Sequence, residues 1–289
     1  MIGRAACRGA ATIVNAIPTG RGAAFGITLE TDAEVKLLAE GEAFKFAGPS
    51  EGADLVRRCV APVLREAGLG GRGAEVRVES EIPVSRGLKS SSAASNAVVL
   101  AATRAAKSEL DDMRIIGAGV DASIGAGVTV TGAFDDAAAC YLGGAVVTDN
   151  RHRRVLARGR IDPSLSVLIH VPDRRVEKAF VKGLDFSPAV PGSEEALELA
   201  LSGSYARAIE VNSRACARVL GLSEEVAQMA RDKGAVAAGI SGTGPATVIL
   251  ARREDETMLG AALEGRADGI ILRASINDTP APEVVPRLL

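Results

Sequence analysis

Ile82-Pro83-Val84-Ser85-Arg86-Gly87-Leu88-Lys89-Ser90-Ser91-Ser92-Ala93-Ala94 decides how this chain is read. Before it, Ala74–Ile82 alternates, with Val76, Val78 and Ile82 at strand spacing, and Pro83 ends the run. After it, the Ala-rich stretch 93–106 reads as a helix. Glycine lets a backbone turn tightly, and small serines admit close approach by a ligand. Amides at the start of a helix lack partners within it, and the helix dipole favours negative charge there. A strand–loop–helix of this kind is therefore suited to phosphate. Serine hydroxyls can also ligate Mg²⁺ that bridges phosphate oxygens. A Ser-rich helix cap with no ligand would use the same residues. The pattern GxxxxGK[ST] is absent, which excludes a P-loop.

Working outward, 1–47 reads as strands and turns, with half-buried alternation in Thr12–Ile17 and Ala33–Leu38 and a turn at Pro18-Thr19-Gly20. Asp54–Ala67 has helical spacing and ends at Gly68, and Met113–Ile124 reads as another helix. Gly144–Thr148 and Ser166–Val171 read as strands. The span 193–233 reads as two or three helices, and Ala235–Gly239, Ala246–Ala251, a helix over 254–265 and Gly269–Ile276 close the chain. Strands and helices alternate irregularly, so the fold class is α+β. The arginine-rich stretch near 151–160 is the best boundary, giving one domain over 1–155 and another over 156–289. Arg151, Arg153 and Arg154, with His152 between them, read as a solvated turn.

Composition narrows the function classes. The 289 residues are 47% hydrophobic and 24% charged, with net charge −2, so nothing in the balance attracts polyanions. Tryptophan is absent and aromatics are 3%, leaving no platform for stacking exposed bases. Cys7, Cys59, Cys140 and Cys216 form no CxxC pair, which argues against a zinc site or a disulfide framework. No signal peptide or membrane-length apolar run is evident, so a cytoplasmic protein is expected. His152 and His170 read as structural.

Two further segments bear on chemistry. Gly239-Ile240-Ser241-Gly242-Thr243-Gly244-Pro245-Ala246 lies between two expected strands, where a flexible turn is the plainer alternative. Thr131-Gly132-Ala133-Phe134-Asp135-Asp136-Ala137 precedes Cys140-Tyr141-Leu142-Gly143-Gly144. A carboxylate here could accept a hydroxyl proton, or simply favour a helix N-terminus.

These segments resemble the GHMP kinases, the superfamily of homoserine, mevalonate and galactose kinases. Pro83-x-x-x-Gly87-Leu88-x-Ser-Ser-Ala-Ala resembles its phosphate motif, although Lys89 replaces a glycine and a third serine is added. The resemblance implies ATP and Mg²⁺ as cofactors and a two-lobed fold, with an N-terminal lobe like ribosomal protein S5 domain 2 and a ferredoxin-like C-terminal lobe. It places ATP at Pro83 through Ala93, and the second glycine-rich motif, Ser241, Gly242, Thr243 and Gly244, beside the transferred phosphate. Counted back without gaps from Gly143, Asp136 falls on the catalytic aspartate, with Asp135 its nearest rival. Either Ser91 or Ser92 would ligate the metal, with Asp121 as a possible carboxylate partner. Many members carry a lysine after Pro-Gly in the first strand. Gly9 fits that glycine, but Ala10 stands at the lysine position, leaving Arg21 or Lys89 to supply the charge.

Within the superfamily, GLKSSSAASNA, GVTVTGAFDDA and GISGTGPA together look like the archaeal-type shikimate kinases. That branch implies phosphorylation of the shikimate 3-hydroxyl, on the way to chorismate and aromatic amino acids, with no nucleic-acid or membrane partner. Homoserine kinase is the runner-up, although it carries asparagine where Asp136 sits, and pantoate kinase is a more distant third. A non-catalytic ATP-binding member is the other class. The substrate carboxylate needs a cation, for which Arg21, Arg86, Lys89, Lys178 and Arg273 are candidates.

Overall fold

Two long strands form the spine of the N-terminal lobe. β1 (Ile2–Val14) runs antiparallel to the 20-residue β2 (Arg21–Glu40). The opposite edge of β2 takes two partners in succession. Its first residues pair with β5 (Ala145–Asp149), and its later ones with β4 (Arg72–Ser80). A short β3 (Lys45–Ala47) joins β4, and β6 (Arg154–Gly159) joins β5. This computed structural model describes residues 1–129, 131–174, 176, 178–265 and 268–287, with the side chain of Lys178 also outside the description.

Four helices complete the lobe: α1 (Ala53–Glu66), α2 (Ser90–Ala106), α3 (Asp112–Gly125) and α4 (Phe134–Leu142). α2 packs against β1, β2, α1 and α3, and most of its residues are buried. Small side chains allow that approach: a Cβ on Gly3 would lie 2.1 Å from the Ala101 carbonyl oxygen. A core without tryptophan thus packs by bringing backbones together, as interiors at crystal-like density require.

The C-terminal lobe begins with β7 (Ser166–Val171). Next come α5 (Lys178–Lys182), α6 (Val190–Leu201), α7 (Tyr205–Leu220) and α8 (Glu225–Asp232). β8 (Ala237–Ile240), β9 (Thr247–Ala251), α9 (Glu256–Glu264) and β10 (Ile270–Ser275) follow. The sheet order β10-β7-β9-β8, antiparallel throughout, is the ferredoxin-like arrangement. Main-chain bonds tie it to the first lobe: Asn277 N–H donates to the Gly26 carbonyl (2.9 Å) and Gly144 N–H to the Asn277 carbonyl (2.8 Å).

The two-lobed α+β expectation therefore holds, with local corrections. Thr12–Ile17 is not a half-buried strand. β1 ends at Val14, and Thr12, Ile13 and Val14 are all buried because α2, α4, α6 and α7 pack against the strand. The solvated turn covers only 151–153, and Arg154 opens β6, so the division at 155/156 falls inside that strand. α4 carries no helical period because eight of its nine residues are buried, leaving no polar face to set one. Among the described residues, no helix is long and apolar enough to cross a membrane.

Candidate active site

α2 begins at Ser90, three residues before the Ala-rich run, and its start opens onto a cavity lined by Ser90, Ser91 and Ser92. The Ala93 N–H makes the helical bond to the Lys89 carbonyl (2.9 Å). The amides of Ser90, Ser91 and Ser92 come before it and have no acceptor in the helix, and the side chain of Lys89, at the N-cap, does not cap them. An uncapped 17-residue helix facing a cavity provides donors and positive potential for an anion. The preceding loop takes positive φ at every second residue: Ser85 (59°), Gly87 (84°) and Lys89 (65°). For residues other than glycine this costs about 1–2 kcal/mol each.

The second glycine-rich motif closes over this loop. Ser241 is buried, and its hydroxyl donates to the Gly87 carbonyl (2.7 Å) while accepting from the Thr12 N–H (3.1 Å). Gly242 N–H donates to Thr12 Oγ1 (2.7 Å), and Asn15 Nδ2 donates to the Gly242 carbonyl (3.0 Å). Gly242 and Thr243 line the cavity, whereas Gly244 packs beneath Leu222. Of the first motif, Ser85, Gly87, Lys89, Ser90, Ser91 and Ser92 line the cavity. Pro83, Val84, Arg86, Leu88 and Ala93 do not. Val84 is exposed, Leu88 and Ala93 are core, and the Arg86 guanidinium donates to the carbonyls of Pro172 and Asp173.

Asp135 and Asp136 lie in the first turn of α4 and line the same cavity as the serines, each in a different setting. Lys89 Nζ lies 2.8 Å from Asp136 Oδ1, the lysine side chain 6% exposed and the aspartate 18%. Asp135 is buried, and its Oδ1 accepts from Asn150 Nδ2 (2.7 Å). Asn150 Oδ1 in turn accepts from the Asp135 N–H (3.1 Å) and the Thr148 hydroxyl (2.7 Å). α4 itself is held by Asn96, whose Nδ2 donates to the Ala137 carbonyl (2.9 Å).

Burial first, and the neighbouring Asp136 carboxylate second, push the Asp135 carboxyl up to about 7, against the pull of Lys89 and the Asn150 bond. A carboxyl that binds its proton more tightly when folded stabilises the fold at acid pH. That contribution is complete below the unfolded value of 3.8 and is lost as pH rises through about 7. The expected result is that wild-type stability to urea falls more steeply from pH 5 to pH 8 than that of Asp135→Asn. Parallel pH dependences would contradict this assignment.

Comparison with known proteins adds to this geometry. The GHMP kinases N terminal domain matches residues 54–144. A shikimate kinase of Methanosarcina mazei is 40% identical over 96% of both chains. One from Methanothrix thermoacetophila is 42% identical over 97% of this chain and 96% of its own. The chain belongs to the GHMP kinases, in the family of the archaeal shikimate kinases. The crystal structure of a homoserine kinase from Cytophaga hutchinsonii shares the fold, with a TM-score of 0.75 at 18% identity over 96% of each chain.

In this GHMP kinase, Ala10 is fully buried and carries no charge, and Arg21 is exposed and does not line the cavity. Of the two cations left open by the sequence, Lys89 is the one at the aspartate. Asp121 does not line the cavity; it is exposed on α3 and ion-paired with Arg153. Arg273, on β10, pairs with Glu256 and Glu264 of α9, and the Lys178 side chain lies outside the described residues. His152 meets Asp149 at the surface, and buried His170 meets the Asp268 carbonyl.

Sequence reasoning missed Thr12, Asn15 and Asn150. The first two are polar residues within the apolar run Ala10–Ile17, and a polar group in such a run must find a buried partner. Asn15 donates from Nδ2 to Gly242, accepts at Oδ1 from the Ile17 N–H (2.9 Å), and donates its own N–H to Asn212 Oδ1 (2.8 Å).

Proposed function

We propose that this chain transfers the γ-phosphoryl group of ATP to the 3-hydroxyl of shikimate, with Asp136 accepting the hydroxyl proton. The observation that carries the reading is the buried Lys89–Asp136 pair in one cavity with the uncapped start of α2. The bond from the γ-phosphorus to the ADP oxygen breaks, the bond to the shikimate oxygen forms, and the proton passes to the Asp136 carboxylate. Asp136 supports shikimate over homoserine, whose kinases place asparagine there, and the intact pair supports catalysis over ATP binding alone.

The amides of Ser90, Ser91 and Ser92 would hold the triphosphate. Among the described residues no cluster of three acidic or histidine side chains could cage a metal. That fits Mg²⁺, which takes one or two protein ligands and completes its shell with phosphate and water. Ser91 or Ser92 would provide the protein oxygen, and the bound ion would neutralise charge on the phosphates. The carboxylate partner once expected at Asp121 is occupied by Arg153 and has no part in this reading. The setting we infer is the cytoplasm, with shikimate and ATP as small-molecule partners.

Product analysis tests the reading. Incubation with ATP, Mg²⁺ and shikimate should give phosphorus–proton coupling at carbon 3 in the NMR spectrum. Phosphate on another oxygen, or none, would contradict it.

A further inference from the structure

Lys89 combines two features that are each unfavourable for a lysine. Its backbone is left-handed (φ 65°, ψ 28°), a conformation that glycine adopts freely. Its charged side chain is 6% exposed, although lysines normally keep the ammonium in water. Its side chain gives the helix nothing in return, since it makes no capping bond. The ammonium instead reaches Asp136 Oδ1 at 2.8 Å. Room for it is made by Gly242, where a Cβ would lie 2.8 Å from Nζ. A strained residue that persists where glycine would be easier points to a role in the reaction.

We infer that Lys89 is the positioning residue for Asp136: its ammonium aims the carboxylate, and the left-handed turn is what delivers that charge from the phosphate loop. Because residue 89 directly precedes Ser90, the loop that seats the triphosphate also fixes the proton acceptor. The inference rests on Asp136 being that acceptor.

Two variants test it. Lys89→Gly relieves the backbone and removes the charge. Lys89→Met removes the charge and keeps the strain. With calorimetric ATP binding, steady-state kinetics and thermal unfolding, both should lose about 10²-fold in kcat, on the scale of a positioned acid or base. Both should hold ATP within about threefold, a change small beside the loss of about 10²-fold in kcat. Both variants leave Asp136 without its partner, and only Lys89→Met keeps the left-handed strain, so Lys89→Met should unfold below Lys89→Gly. A merely structural lysine would lower kcat in step with stability, leaving the more stable Lys89→Gly with clearly the higher kcat. Lys89→Gly with near wild-type kcat would overturn the inference, as would a loss of ATP affinity matching the loss of kcat, which would make Lys89 only a phosphate ligand. If Asp136→Asn is inactive while Lys89→Gly is active, only this inference falls. If Asp136→Asn is active, the underlying reading falls with it.

Discussion

Asp136→Asn is expected to lower kcat by roughly 10²–10⁴-fold, the usual contribution of a positioned acid or base. The amide keeps the shape of the carboxylate and removes its charge and its capacity to take a proton. KM for ATP should change little, because the candidate phosphate donors are the amides and hydroxyls at the start of α2, on a different element from Asp136. A fall in kcat without a change in nucleotide binding marks an interaction made in the transition state. The fold should survive, since Lys89 retains the Asp135 carboxylate within its electrostatic reach. Asp135→Asn is the internal control and should cost much less, because its Oδ1 is already committed to Asn150. Loss of turnover in Asp135→Asn with near wild-type Asp136→Asn would exchange the roles of the two residues.

The second large effect is expected at Gly87. Its φ of 84° strains any side chain, and a Cβ would lie 2.0 Å from the Ser241 carbonyl oxygen and 3.3 Å from the Gly244 nitrogen. Backbone cannot yield there as a flexible side chain would, so the two glycine-rich motifs must separate. Gly87→Val should therefore weaken ATP binding at least 100-fold, roughly 3 kcal/mol or more, and lower the unfolding temperature. Gly87→Ala carries the same Cβ without the branch and should fall between. A folded Gly87→Val that binds ATP normally would contradict this account of the loop.

Much of the fold was legible because its elements carry local signals. Ser166–Val171 is a strand with the same bounds in sequence and structure, and the strand–loop–helix around Pro83 is present, although its strand ends at Ser80 rather than at Ile82. Elements covered on every side were harder to read. β1 beyond Arg4 and the whole of α4 lack the exposed positions from which a period is inferred, and β6, exposed at alternate positions along the sheet edge, was hidden by its arginines. The site divides in the same way. Its serines, glycines and aspartates stand in local motifs, whereas its ties join distant residues, as Thr12 to Ser241 and Asn15 to Asn212 do. Lys89 shows the difference most clearly. In sequence it was one of several cations, and only its left-handed backbone and the folding of α4 bring it to Asp136.

Substrate choice is the centre of the account, and a coupled ADP-release assay tests it most directly. Purified protein with ATP and Mg²⁺ would be offered shikimate, homoserine, pantoate and mevalonate in turn. The account predicts sustained ADP release with shikimate and only background rates with the other three. Sustained turnover of homoserine, pantoate or mevalonate with shikimate at background would contradict it.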